Sequence, residues 1–169
     1  MIELVGNYAE AIPKTWVEHM NKHTGEIRPN NRMVITPEVI EMQNMWRNAG
    51  YGEDSAATWE LFHDWDFEEK LDISKFDFCK DKKIQWWVSK VPPGHCFPIH
   101  SDTLKPELVN PKRYWIAIDD YKWGHVFLIG DTCLRDYKKG DVFIFDNSLH
   151  GAANVGLLNK YSLQILASD

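Results

Sequence analysis

The hydrophobic pattern changes character about halfway along the chain. In the first 80 residues the apolar positions recur mostly at helical spacing. One helix is predicted over residues 9–23. Pro13 suits its first turn, which puts the true start near Ile12, and Gly25 lies just past its end. A second is predicted over 36–50, with Thr36 as N-cap, Pro37 at the first helical position and Glu38 at the positive end of the dipole. Val39, Ile40, Met42, Met45 and Trp46 form its apolar stripe, and Gly50 stops it. A third, short helix is predicted over 55–63, because Trp59 and Phe62 stand three apart.

From Lys83 onward the period shortens. Residues 84–91, 114–118, 125–129, 141–145 and 161–166 are short runs rich in aromatic and β-branched side chains, which predict strands. Turn signals separate them: Pro92-Pro93-Gly94, Lys122-Trp123-Gly124, Lys138-Lys139-Gly140 and Asn154-Val155-Gly156. Many short strands punctuated in this way predict a jelly roll or cupin-like barrel. The fold class is therefore mainly β with N-terminal helices, the helices bracing one outer face. A barrel of this kind can hold a site in its mouth.

The length, 169 residues, suits a single domain, with residues 1–80 as a mostly helical support and 83–169 as the jelly-roll core. A formal net charge of -6 argues against a partner gripped through phosphates, so nucleic acid is not the expected partner. The first residues lack the basic start and apolar run of a secretory signal, and no segment approaches the length of a membrane helix. Cys79, Cys96 and Cys133 are scattered and odd in number, which predicts neither a disulfide framework nor a zinc ribbon. A reducing, cytoplasmic setting is the expectation.

The chemistry concentrates in two places. In Pro98-Ile99-His100-Ser101-Asp102, His100 and Asp102 stand two apart, so on a strand they point to the same face. Further on, the apolar run Phe143-Ile144-Phe145 leads through Asp146-Asn147-Ser148-Leu149 to His150. Two imidazoles and one carboxylate bind one face of an Fe(II) octahedron and leave three positions open for a bidentate co-substrate and O2. The order HxD, then a distant His after an apolar strand, is the pattern of the 2-oxoglutarate oxygenases. His100, Asp102 and His150 are thus the expected metal ligands and the catalytic centre.

A cation follows ten residues after His150, with Lys160 opening the last strand and Ser162 on the same face. The distal carboxylate of 2-oxoglutarate needs a buried cation, which Lys160 can supply, with a hydrogen bond from Ser162. An Arg is more usual than a Lys at this position because its fork binds a carboxylate bidentately, and Arg113, at the head of the strand that follows the HxD turn, is a second candidate cation. The remaining histidines carry less. His19 and His23 are four apart and would share a helix face, but Met20 stands where the zinc-helix motif has its Glu, and no third ligand is near. His63, His95 and His125 lack a carboxylate partner at useful spacing, although His95 can line the mouth. Trp86, Trp87 and Trp115 are expected in the core, with one of Trp86 and Trp87 facing the site, since neighbours on a strand point opposite ways.

The stretch 91–169 resembles the 2-oxoglutarate/Fe(II) oxygenases, and within them the aspartyl/asparaginyl β-hydroxylase-like group. The matching features are Pro93-Gly94 before Pro98-Ile99-His100, Arg113 opening an apolar strand, Tyr137-Lys138-Lys139-Gly140-Asp141, Phe145-Asp146-Asn147-Ser148, His150, Asn154 and the final strand. The placing of Lys160 is similar to that in prolyl 4-hydroxylases, which share HxD, a distal His and a Lys shortly after it. Two departures from the first group stand out: Asp102 is present where the animal enzymes lack the carboxylate, and Lys160 replaces the usual Arg. The resemblance implies a double-stranded β-helix and an Fe(II)- and O2-dependent reaction. In it 2-oxoglutarate is decarboxylated to succinate and CO2 while an amino-acid side chain, Asp, Asn or Pro, in a peptide or free, is hydroxylated. The substrate would meet the first half of the chain and the loop 103–112. Two other classes remain open at this point: a metal-binding cupin enzyme that does not use 2-oxoglutarate, and a non-catalytic jelly-roll binding module.

Overall fold

The strand-forming runs of the second half fold as two antiparallel sheets laid face to face. The computed structural model describes residues 2–29, 58–102, 104 and 106–169, together with Pro37, Glu41, Asn44 and Asn48. In chain order the strands are β1 Ile2–Asn7, β2 Glu26–Pro29, β3 Thr58–Phe62, β4 Lys83–Val91, β5 Cys96–His100, β6 Lys112–Ala117, β7 His125–Ile129, β8 Thr132–Cys133, β9 Asp141–Phe145, β10 His150–Asn154 and β11 Lys160–Ser168, with one helix, α1, at Trp16–Lys22. The larger sheet has the order β1-β9-β6-β11-β4-β3-β2 and the smaller β5-β10-β7-β8. From β4 to β11 the chain passes back and forth between the two, which makes it a double-stranded β-helix.

The central strand β11 decides what each face of the large sheet does. It is hydrogen-bonded to β4 on one side and β6 on the other, and every residue of it is buried. Tyr161, Leu163 and Ile165 point outward and join Tyr114, Ile116, Val88 and Val142 in an apolar cluster. Helix α1 closes that cluster with Trp16 and Met20, both fully buried. Trp16 stacks on Phe67 and Trp86 at centroid distances of 4.3 and 5.5 Å, and its indole N–H donates to the Glu69 carbonyl at 2.8 Å. Burying a side chain such as Met20 contributes about 1.5–3 kcal/mol. Lys160, Ser162 and Gln164 point the other way, between the sheets, where Trp115, Ala117 and Phe145 meet Phe127 and Ile129.

Local chemistry explains the departures from the predicted helices. The element expected over 9–23 is split into a 3-10 turn at Ala9–Ala11 and the shorter α1. Ile12 precedes Pro13 and is extended, at φ -81° and ψ 119°, because the proline ring disfavours a helical residue before it. The helix expected over 55–63 is instead the strand β3 at 58–62, paired with β2 and β4. Trp59 and Phe62 are both buried, but by packing in a sheet. The expected helix over 36–50 lies outside the described residues except at Pro37, Glu41, Asn44 and Asn48, which are helical and exposed. The opening residues, from which nothing was expected, form β1 on the sheet edge against β9. That edge is tied down at Gly140, whose φ of +86° needs glycine and whose missing Cβ would meet Ala9 at 2.2 Å. Among the described residues no helix is long and apolar enough to cross a membrane.

Candidate metal centre

His100 closes β5 and His150 opens β10, and the two residues sit opposite each other in the small sheet. The register slips between His150 and Ala152, a bulge beside both histidines that turns their side chains inward. Their rings lie 4.3 Å apart, and both are buried. His100 Nδ1 bonds to the Pro98 carbonyl at 2.8 Å and His150 Nδ1 to the Ser148 carbonyl at 2.9 Å. A carbonyl can only accept, so in both rings Nδ1 carries the proton and Nε2 keeps its lone pair. Burial pushes the His100 imidazole down to about 3, helped by the charges of His150 and Arg113, and the His150 imidazole down to about 4, helped by Arg113. Both rings are therefore neutral near pH 7.

Asp102 completes the group from the loop after β5. Its carboxylate oxygens lie 3.6 Å from His100 Nε2 and 3.2 Å from His150 Nε2. One donor atom from each of the three residues falls within 4.8 Å of the others. The loop is pinned by Asn147: its Oδ1 accepts from the Asp102 N–H at 3.0 Å, and its Nδ2 donates to the Asp102 carbonyl at 2.9 Å. Asn147 is itself in a tight turn in which the Ser148 N–H donates to Asp146 Oδ1 at 3.1 Å. Two neutral imidazoles presenting Nε2, with one carboxylate, form a donor set that fits a divalent first-row metal with open positions.

Arg113 stands in the same group. Its guanidinium pairs with Asp102, and its Nη1 lies 3.2 Å from His150 Nε2. Nη2 donates to Gln164 Oε1 at 2.9 Å, and the planar head lies over Trp87 and Phe145, at 5.9 and 4.9 Å from the ring centres. Burial lowers its pKa to about 10, so it stays charged at neutral pH. Lys160 sits deeper between the sheets. It is 1% exposed, and its ammonium lies 5.0 Å from the Trp115 ring centre and 5.5 Å from that of Phe127. Among the described residues it has no carboxylate partner, and burial pushes its pKa down to about 7. The rings of Phe127, Phe145 and His150 follow one another at 5.9 and 5.4 Å, leading from Lys160 to the histidines.

The six site residues expected from the sequence thus divide into two sets. His100, Asp102, His150 and Arg113 come together, while Lys160 and Ser162 lie further along the same interior. Two contributors were not anticipated as such: Gln164, which bonds to Arg113, and Asn147, which holds the Asp102 loop. Ser89 Oγ and Trp115 Nε1 are buried without a hydrogen-bond partner among the described residues. The alternation of Lys160, Ser162 and Gln164 along β11 was the available signal for an inward polar row. Of the adjacent tryptophans, Trp87 faces the site beneath Arg113, and Trp86 faces α1. The other histidines stay outside the group. His125 Nε2 bonds to the Leu158 carbonyl at 2.9 Å, His95 Nδ1 to Thr58 Oγ1 at 2.5 Å, His63 is 4.0 Å from Glu26, and the His19 and His23 rings lie 4.4 Å apart. In the loop 103–112, Thr103 and Lys105 lie outside the described residues.

No protein-family model matches the sequence, and no curated protein matches it. Solved structures do match. The viral collagen prolyl hydroxylase of Paramecium bursaria Chlorella virus-1, solved as its 2OG complex, aligns over 99% of this chain and 96% of its own, with a TM-score of 0.52 and 13% identity. The non-heme alpha-ketoglutarate-dependent carbocyclase SnoK from nogalamycin biosynthesis aligns over 95% and 85%, with a TM-score of 0.52 and 15% identity. An RmlC-like cupin from Desulfovibrio desulfuricans overlaps 64% of this chain and 79% of its own, with a TM-score of 0.39 and 15% identity. The first two share the fold of this chain along nearly its whole length.

Proposed function

We propose that the chain is a single-domain Fe(II)- and 2-oxoglutarate-dependent dioxygenase that hydroxylates an amino-acid side chain, Asp, Asn or Pro, in a peptide or free. The carrying observation is the convergence of His100 Nε2, His150 Nε2 and the Asp102 carboxylate, joined along one interior to a fully buried lysine. Iron held there would supply the oxidative decarboxylation of 2-oxoglutarate to succinate and CO2, coupled through O2 to hydroxylation of a C–H bond. The whole-length likeness in fold to a prolyl hydroxylase and a carbocyclase supports this reading.

The residues of the chain have separate tasks in it. The Pro98 and Ser148 carbonyls hold the two imidazoles in the tautomer that offers Nε2. Asn147 fixes the loop that carries Asp102. Lys160, with Ser162 beside it, receives the distal carboxylate of the co-substrate, an anion that offsets its buried charge. The apolar rings of Phe127 and Phe145 exclude water between that end and the metal.

The test is an anaerobic Fe(II) titration of the wild type and of His100→Ala, Asp102→Ala and His150→Ala, followed by succinate formation with peptides, free amino acids and oligonucleotides. One Fe(II) per chain is expected, with each variant sharply weakened and succinate stimulated by an amino acid or peptide. Equal metal affinity in all variants would overturn the metal site. Iron binding without 2-oxoglutarate binding would move the protein to the cupin enzymes.

A further inference from the structure

At the end of the barrel opposite the metal ligands, the fold leaves a group of apolar side chains in solvent. Trp123, in the loop before β7, is 91% exposed. In the loop between β10 and β11, Val155 is 78%, Leu157 92% and Leu158 58% exposed. Strand β10 runs from His150 at the metal end to Asn154 beneath these loops, so its five residues separate the two ends.

The two loops are locked together and held from below. Gly124 and Gly156 meet backbone to backbone, so closely that a Cβ on Gly124 would fall 2.3 Å from the Gly156 nitrogen. The Val155 N–H donates to the Gly124 carbonyl at 2.9 Å. Two buried polar side chains serve the same loop: Asn154 Nδ2 donates to the Leu158 carbonyl at 2.7 Å, and His125 Nε2 donates to it at 2.9 Å. Apolar side chains presented on a backbone ordered in this way lose little further freedom on binding.

Area, shape and charge narrow what can cover them. The four side chains offer roughly 300–600 Å² of apolar area, below the about 800 Å² per partner of a stable protein interface. Trp123 and Leu157 project almost wholly beyond the loop backbone. Two such convex tips cannot cover each other, whereas lipid flows around a tip. Beside the tip lies a groove of about 240 Å³ with Leu157 and Leu158 on its wall, and its two charged side chains are Asp119 and Lys122. Their carboxylate and ammonium stand 3.6 Å apart. One group of each sign leaves the groove neutral and matches the ammonium and phosphate of a zwitterionic headgroup. An anionic surface would instead repel a chain of net charge -6. A Trp beside exposed aliphatic side chains suits the water–hydrocarbon boundary, where its ring sits among headgroups.

We propose that the tip formed by Trp123, Val155, Leu157 and Leu158 docks the protein on a surface of zwitterionic phospholipid, with Asp119 and Lys122 receiving a headgroup. Such a contact needs no membrane-crossing helix, and none is present among the described residues. Docking by this end leaves the metal end facing away from the lipid. The inference stands independently of the reaction proposed above.

The test is co-sedimentation of the full chain with sucrose-loaded vesicles of phosphatidylcholine and, separately, of phosphatidylglycerol. Binding to phosphatidylcholine is expected, with weaker binding to phosphatidylglycerol. Trp123→Ser and Leu157→Ser should each lower the partition coefficient about tenfold or more, the effect of losing one buried apolar side chain. Their unfolding midpoints should match the wild type, since both side chains are exposed. Leu4→Ser, on the edge strand β1 and 54% exposed, should leave partition unchanged. Asp119→Ala combined with Lys122→Ala should weaken phosphatidylcholine binding about two- to fivefold, and unchanged binding in that variant overturns the headgroup contact. Absence of sedimentation with phosphatidylcholine at millimolar lipid overturns the proposal. So do stronger binding to phosphatidylglycerol than to phosphatidylcholine, and equal losses in Leu4→Ser and Leu157→Ser. A monomer–dimer equilibrium in sedimentation velocity that Leu157→Ser abolishes, without vesicle binding, overturns it in favour of a second copy of this chain.

Discussion

The two faces of β11 come from alternate residues of one nine-residue strand, and they do opposite work. Tyr161, Leu163 and Ile165 pack outward under Trp16 and Met20, in an apolar cluster that holds the sheet to its helix. Lys160, Ser162 and Gln164 point inward and bring a buried ammonium, a hydroxyl and an amide to the space between the sheets. Burial is complete on both sides, so exposure does not distinguish them. What does is whether the side chain has a polar task. The outer face adds to stability, whereas the inner face carries the electrostatic cost of a buried ammonium.

The sharpest way to break this contrast is one substitution on each face. Trp16→Ala should lower unfolding free energy by about 3–5 kcal/mol in a urea titration, since the indole stacks on two rings and leaves a cavity. Lys160→Met should leave stability unchanged or raise it, because a desolvated ammonium is replaced by an apolar chain of similar length. The same variant should weaken 2-oxoglutarate by about 3–5 kcal/mol, measured by calorimetry with Mn(II) present. A loss of stability in Lys160→Met comparable to that of Trp16→Ala would show that the lysine is a structural element and not an anchor.

A smaller effect sharpens the comparison at the metal end. His100 and His150 sit on strands, whereas Asp102 sits on a loop held by Asn147. Asn147→Ala should reduce Mn(II) affinity by about 10–100-fold, as expected for loss of a group that orients a ligand. Unfolding free energy should fall by about 1 kcal/mol or so, the worth of a hydrogen bond or two near the surface. An unchanged metal affinity would mean that Asp102 needs no clamp.

These contrasts also show what the sequence could reveal. Strands β7 and β9 match their expected bounds, and β4, β6 and β11 were found within a few residues, because they carry aromatic and β-branched runs between clear turns. The strand β10, His-Gly-Ala-Ala-Asn, has neither feature and takes its form from pairing with β5 and β7. The strand β3 was misread because Trp59 and Phe62 fit a helical spacing, and sheet pairing outweighed that local preference. At the candidate site, the convergence of His100, Asp102 and His150 was legible from their order and spacing read against the oxygenase pattern. Arg113 was legible as a cation but not as a neighbour of Asp102, since a long-range contact leaves no mark in local pattern. Gln164 was passed over although it shares the face of Lys160 and Ser162, because a polar residue in an alternating strand ordinarily signals an outward, solvated face.

The finest test uses pH, because Lys160 should tilt two measurements in opposite directions. Burial lowers its pKa to about 7 in the folded protein, against about 10.4 for an unfolded lysine. Between those values the unfolded chain holds a proton that the folded chain has released. Stability of the free protein should therefore rise with pH in that window, by at most about 1.4 kcal/mol per unit from this group, and the penalty is fully present below pH 7. Affinity for 2-oxoglutarate should run the other way. The distal carboxylate needs the charged ammonium, so binding above pH 7 must take up a proton, and affinity should fall by up to about tenfold per unit. Below pH 7 this dependence should flatten. The titratable neighbour is His125, whose ring is kept below its ordinary value by burial and, to a lesser extent, by the charge of Lys160, so it stays neutral above pH 7 and adds no slope. Lys160→Met should remove this group's share of both slopes. Unfolding curves and calorimetric titrations between pH 6 and 9 check this, the second in buffers of different ionisation heat to count the protons. If affinity is flat across the range while stability still rises, the carboxylate does not meet Lys160, and the buried charge on the inner face serves some other group.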